Sequence, residues 1–446
     1  FFNLDSTRIY INDQTQKGKV GGFAISGRSS TKGMSDYFNV SGSSSADTID
    51  PSKPMVLWYP KREAFFTGRV LIESPDSVGY NSVSTGFESK AVGNYSHALG
   101  YKARSGGHNS TAIGNSANAP GQNAYSFGDS ARAEGFTSFA IGDHAFAKGI
   151  GAYAIGSIGR DTATNEPTGQ PAFAGGNYAF AIGMGTKATN TSSFAMGNQT
   201  VASGAFSTAS GLLTQSQGIF STAMGFKTIA EGKASLAFGV KSRAIGNQSI
   251  ALGGVPPNVE GYTIAKGVAS VSIGKETQAL GPFSIAIGDS SIADSTFAMA
   301  LGKSTEANGF ASLSMGYYTS AGGDFSTSMG NKTTASGKYS VAMGHSTSAG
   351  GEASLAMGRE SRANGNFSMA IGDNSEAIGD ISFALGANAY AGNTGTFVAG
   401  ANSTVSGIGS IAMGSNLNVT GNGSFGISLG NSFSTIEVGS SGVMAI

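Results

Sequence analysis

The chain has 446 residues, of which 39% are apolar and only 12% charged, and its 27 basic residues are balanced by 27 acidic ones. That balance excludes the basic surface of a nucleic-acid binder, so nucleic acid is not an expected partner. Cysteine is absent, which removes disulfides, thiolate metal sites and cysteine nucleophiles, and no run of eighteen apolar residues offers a transmembrane helix, so direct membrane insertion is not expected.

Residues 1–79 are not periodic. The chain opens Phe1-Phe2-Asn3 and ends Val443-Met444-Ala445-Ile446, which reads as a segment of a longer or processed polypeptide. Gly22-Phe23-Ala24-Ile25-Ser26-Gly27 looks like one stray repeat, and Pro51-Ser52-Lys53-Pro54 precedes Met55-Val56-Leu57-Trp58-Tyr59-Pro60. Phe65 to Ile72 reads as a strand pair. The expectation for 1–79 is a small β-rich cap or adaptor, because the open end of a sheet recruits further strands unless it is covered.

From Gly86 onward a glycine recurs every fourteen residues. One run covers Gly86, Gly100, Gly114, Gly128, Gly142 and Gly156, and a second Gly183, Gly197, Gly211, Gly225, Gly239 and Gly253. A third continues from Gly274 through Gly288, Gly302, Gly316, Gly330, Gly344, Gly358, Gly372, Gly386 and Gly400 to Gly414, and Gly430 follows after a step of sixteen. A strict short period is the signature of a solenoid whose repeats stack as successive coils.

Count each marker glycine as position 0. Position −1 is large and apolar: Leu99, Ile113, Phe127, Ile141, Met196, Met224, Ile287, Leu301, Met315 and Met343. Position −3 is often large, −2 is mostly Ala and −4 is commonly Ser. Alternation with period two is strand behaviour. Positions +3 and +5 are small, and +7 is usually another glycine. Gly tolerates positive φ, so both corners read as tight turns, with Gly100, Gly114, Gly128, Gly142, Gly197, Gly225, Gly288, Gly302, Gly344 and Gly372 among the structural turn glycines. Each coil then consists of two short strands and two turns. The −1 and −3 side chains are expected to form the inner apolar ladder, leaving a Ser/Ala face for contact with another chain. Aromatics at −5, such as Phe206, Phe283 and Tyr339, share the parity of −1 and −3; they either widen that core or line a seam between chains.

The runs Asn109-Ser110-Thr111-Ala112-Ile113-Gly114 and Phe283-Ser284-Ile285-Ala286-Ile287-Gly288 resemble the head repeat of YadA-like trimeric autotransporter adhesins, roughly Asn-Ser-Val-Ala-Ile-Gly at the same spacing. The resemblance implies an all-β, left-handed parallel β-roll of fourteen-residue coils. It implies a homotrimer of three parallel chains exposed on a bacterial cell surface, binding host matrix, cells or other surfaces. The expected layout is a cap over 1–79, a β-roll head over 80–430 and the start of a following segment over 431–446.

Two interruptions break the period, near 157–176 and near 254–262. Insertions in solenoids go to surface loops, often on a binding side. No catalytic chemistry is expected. His97, His108, His144 and His345 lack ligand spacing, so no metal is expected; no phosphate loop or dinucleotide unit points to a cofactor, and the serines have no His/Asp partner set. A phage or injection-system fibre recognising a bacterial receptor shares the architecture and is the alternative. An ice-binding solenoid needs a regular Thr array, and a polysaccharide-processing β-helix needs clustered acids; neither pattern is present.

Overall fold

The computed structural model describes residues 54–59, 61–428 and 436–446, together with the backbone of two strands, Phe23–Ala24 and Asn39–Val40. Apart from the first of those strands, the stray repeat at 22–27 lies outside the described residues, as does Gly430. The chain is all-β; among the described residues the single helical element is a short 3-10 turn at Pro75–Ser77. Two units follow one another, Phe1–Phe220 and Ser221–Ile446. Each contains a parallel β-solenoid of fourteen-residue coils.

In the first unit a typical coil has a long strand Phe194–Asn198 and a short strand Val201–Ala202. The long strand pairs in parallel with Thr208–Leu212 of the next coil, placing Gly197 opposite Gly211. In the second unit Ile285–Asp289 pairs with Met299–Lys303, and Ile292–Ala293 pairs with Glu306–Ala307. Outside the insertions each residue thus lies beside its equivalent fourteen positions on, and across them Tyr153 still faces Phe180 and Ile250 faces Val271, so position in the repeat sets the register.

Four side chains per coil point inward, at −4, −2, +3 and +5. Around Gly142 they are Ser138, Ala140, Ala145 and Ala147, all fully buried. Around Gly316 they are Ser312, Ser314, Thr319 and Ala321. Larger interior side chains gather toward the C-terminal end of the second unit, where Val398, Val405, Leu417 and Val419 are buried. This inverts the expected core. Leu99, Phe127, Leu301, Met315 and Met343 are only half-buried, and Ile113, Ile141, Met196, Met224 and Ile287 are exposed, Met196 by 42%. Two strands facing each other across a fourteen-residue loop lie too close for Ile or Met between them. The small side chains go in, and the Ser/Ala face assigned to contact with another chain is the interior.

Interior hydroxyls bond both within a coil and from one coil to the next. The Ser138 hydroxyl donates to the carbonyl of Gly135 at 2.8 Å. The Ser291 hydroxyl donates to the carbonyl of Gly302, one coil on, at 2.8 Å. The Ser272 and Thr277 hydroxyls meet at 2.8 Å across the interior. Each such bond compensates a polar group that burial would otherwise leave unsatisfied.

The glycines serve two different purposes. The ten turn glycines named above have φ between 119° and 145°, backbone closed to residues with a side chain. They sit within or directly after the long strand rather than at its corner. Residues at +7, such as Gly135 and Gly232, do not have positive φ; a β-carbon there would lie 1.9–2.0 Å from the carbonyl oxygen of the next coil. Close approach, not turn geometry, selects glycine at +7. The left-handed corners are at +2 and −5 and are mostly not glycine, as with Ser290 (φ 56°) and Phe283 (φ 58°).

At the N-terminal end Met55–Tyr59 and Ala64–Arg69 form an antiparallel hairpin whose second strand pairs in parallel with Val83–Phe87. Leu57, Tyr59, Phe66, Val70, Ile72 and Val78 make a small core there. At the other end Ile436–Val438 pairs in parallel with Leu417–Val419, and Met444–Ala445 with Phe425–Gly426. Residues 436–446 therefore add another coil to the roll instead of beginning a different segment. The reason is that Ile436-Glu437-Val438 repeats the alternation of Leu417-Asn418-Val419, so its valine falls on the inward parity.

Candidate functional site

Because the interior of most coils takes only small residues, the large apolar side chains that occupy −3 and −1 turn outward from the long strand. In the first unit this produces a column of rings. Tyr125, Phe139, Tyr153 and Phe180 stack with centroids 4.7–4.8 Å apart and planes within 10° of parallel. The spacing is the coil-to-coil spacing of the sheet, so the backbone dictates the stack. Beside it runs the −5 corner, and Tyr178 joins Asn123, Thr137 and Gly151 in lining a shallow groove of about 470 Å³ against the rings. In the second unit the outward −1 column includes Phe238, 52% exposed, and Met343, half-buried, and the −3 column includes Met299 and Leu313, also half-buried.

Both insertions emerge from the corner after the long strand. In the first unit Ile158 still donates its amide to Asp143 of the preceding coil, 3.3 Å, before the chain departs. Arg160 then folds back onto Asp143 through Nε at 2.8 Å and Nη2 at 2.5 Å, and onto the carbonyl of Asn165 at 3.0 Å. Burial pushes the Asp143 carboxyl up, but hydrogen bonds with His144 and Arg160 outweigh it and hold it below the usual carboxylate range. Within the loop the Asp161 carboxylate accepts from the amides of Thr164 and Ala163, each at 2.8 Å, and from the Thr164 hydroxyl. Those bonds lower its pKa.

In the second unit Val255 is fully buried at the root of the insertion, and the Lys241 ammonium donates to the carbonyl of Val259. Tyr262 stands beside Arg243, whose guanidinium is 5.9 Å from the ring centre and paired with Glu231 at 2.7 Å. A shallow pocket of about 220 Å³ lies between Tyr262, Gly261, Glu276, Gln278, Ser290 and Ile292. The remaining polar surface carries charge ladders, such as Arg359 with Asp373 and Arg362 with Glu376, both at 2.5 Å. Hydrogen bonding from Arg359 lowers the Asp373 pKa.

The four histidines are exposed and sit on different coils; the His108 ring lies 5.3 Å from that of Tyr95. Among the described residues no group of three or more His, Asp or Glu converges as a metal site, and no helix is long and apolar enough to cross a membrane. The stacked rings were readable in the sequence, because Tyr125, Phe139, Tyr153 and Phe180 hold position −3 in four successive coils. Their location outside the roll was not.

The YadA head domain repeat matches this chain over residues 77–145, 188–214, 216–254, 265–305, 307–389 and 391–416, well over half its length. The chain belongs to that family of adhesin head repeats. No curated protein is significantly similar to it.

Proposed function

We propose that three copies of this chain associate in parallel as a rigid adhesive segment of an extracellular bacterial surface fibre, binding host matrix, cells or other surfaces through the exterior that assembly leaves free. The observation that carries the reading is the uncovered apolar face of the long strands. Folded single chains rarely present such a contiguous surface to water unless another molecule covers it. Covering it with equivalent faces of two further copies would bury the −3 and −1 columns and leave the insertions and charge ladders outside. No resident cofactor is required, since adhesion needs only shape and chemistry on the exterior. Membership in the YadA head family supports both the number of chains and the surface location.

Light scattering tests the assembly. A mass of three times 44.7 kDa is expected, and a monodisperse single chain would remove the proposal's basis. Adhesion is tested with beads coated with the assembled segment, whose retention on extracellular-matrix proteins, cultured cells and bacterial envelopes is compared. Retention only on envelopes would favour the phage-fibre alternative.

A further inference from the structure

Where the second insertion rejoins the roll it builds a recess on the side of the short strands, away from the apolar long-strand face. Thr263 pairs with Ser242 and Ile264 with Gln278, so Tyr262 takes the +2 corner position that Lys241 holds on the preceding coil and Glu276 on the next. Lys241 and Glu276 are left-handed, with φ of 53° and 55°, whereas Tyr262 is not. Gly261 before it is held at φ 122°, and a β-carbon there would lie 3.2 Å from Cγ of Glu276. The insertion thus sets a ring into a corner that a glycine keeps open.

The Tyr262 ring is 41% exposed. On the side of the preceding coil stands Arg243, whose charge is already met by Glu231 at 2.7 Å. On the other side the recess of about 220 Å³ takes in Glu276, Gln278, Ser290 and Ile292. Gln278 and Ile292 are the outward residues of two neighbouring short strands, whose Ala279 and Ala293 fill the interior. The Ser290 hydroxyl lies 3.4 Å from Oε2 of Glu276 and 3.0 Å from Oδ1 of Asp289. Its single proton leaves the Glu276 carboxylate with acceptor sites to spare.

We propose that this recess binds an uncharged pyranose sugar at the end of a glycan chain, an inference that deepens the adhesive reading above and rests on it. A pyranose offers a face of C–H groups and a rim of hydroxyls. The C–H face matches the Tyr262 ring, whose π face is negative, and the Ile292 side chain. The hydroxyls both donate and accept, as do the Gln278 amide and the Ser290 hydroxyl, and the Glu276 carboxylate accepts. The recess is smaller than the roughly 300 Å³ at which pockets for drug-sized ligands begin, so it takes one ring. A lysine side chain would use the carboxylate and leave the amide donors of Gln278 unmatched. A sialylated or sulfated sugar would set its charge against Glu276, with Asp289 behind it, and among the described residues that line the recess none is cationic.

The test uses beads coated with the full chain, because many copies on one bead multiply the retention of a weak single site. Surfaces carry glycans ending in galactose, glucose, mannose or N-acetylglucosamine, with sialylated and sulfated counterparts. At least one neutral glycan should retain the beads, and Tyr262→Ala and Gln278→Ala, with unchanged melting curves, should each weaken that retention roughly tenfold or more. The matching free methyl glycoside should release beads from cultured cells if the sugar is a host's and from bacterial envelopes if it is bacterial. Retention on charged glycans alone, or retention that both variants leave unchanged, overturns the site. Beads that hold to cells or envelopes but to no glycan overturn the site and leave the adhesive reading standing. Beads that hold to no surface of any kind overturn the adhesive reading, and the site with it.

Discussion

A methyl group built on Gly288 would lie 1.8 Å from the carbonyl oxygen of Gly302, one coil away. The two glycines face each other in register, and Gly288 holds φ at 131°. Both the backbone angle and the next coil forbid a side chain at this position. Gly288→Val should destabilise the surrounding coils by about 3 kcal/mol or more. Hydrogen exchange reads the effect directly: amides of Ile285–Asp289 and Met299–Lys303 should lose protection first, and an unchanged exchange pattern would sink the close-approach account.

The inverted core ranks two adjacent substitutions. Ala286→Leu forces a large side chain into an interior filled by Ser284, Ala286, Ser291 and Ala293, at a cost of at least about 1–3 kcal/mol. Ile287→Ala removes a side chain already 38% exposed in the single roll. It should leave the β signal intact and weaken association instead. Melting curves recorded with mass in solution separate the two. If Ile287→Ala proves the more damaging to the fold, the assignment of inside and outside is wrong.

The first insertion should loosen in acid. Hydrogen bonds to Asp161 stabilise its charged form in the folded loop, so its pKa lies below the unfolded value of about 3.9. The stabilisation is complete above that value and is lost as pH falls through the depressed one. Asp143 titrates with the same sign through its bonds with His144 and Arg160. Limited acid-protease cleavage within 161–166 should rise steeply below about pH 4, and Asp161→Asn should flatten that rise. Cleavage independent of pH would remove the carboxylates from the account.

Toward the end of the second unit, Asn374, Asn388 and Asn402 hold left-handed corners and chain their amides at 3.0 and 2.9 Å. Asn388→Ala should lose both hydrogen bonds and also strain the corner, costing roughly 1–2 kcal/mol in all. Asn388→Gly loses the same bonds but relieves the backbone, so it should cost less. Denaturant titrations of the two variants test the ordering, and equal costs would mean that the corner angle contributes nothing.

Much of the architecture is legible in the sequence. The spacing of Gly288, Gly302 and Gly316 determines coil length, and the alternation in Ser284-Ile285-Ala286-Ile287 marks a strand. Alternation distinguishes two faces but does not say which is inside. A fourteen-residue coil does not contain the space that the larger residues would need inside. Left-handed corners were also hidden, since Phe283 and Ile381 are poor candidates for that geometry in isolation; only their register beside Asn and Gly equivalents exposes it. The clamp of Arg160 on Asp143 joins residues seventeen apart and becomes visible only when the coils are stacked.

Because each coil pairs with the next in a register of fourteen residues, removing one whole coil re-creates the junction it destroys. Recombination between repeats can therefore shorten or extend such a chain in steps of fourteen without exposing new backbone. A deletion of any other size must be absorbed as a bulge at a bend, which is where both insertions are found.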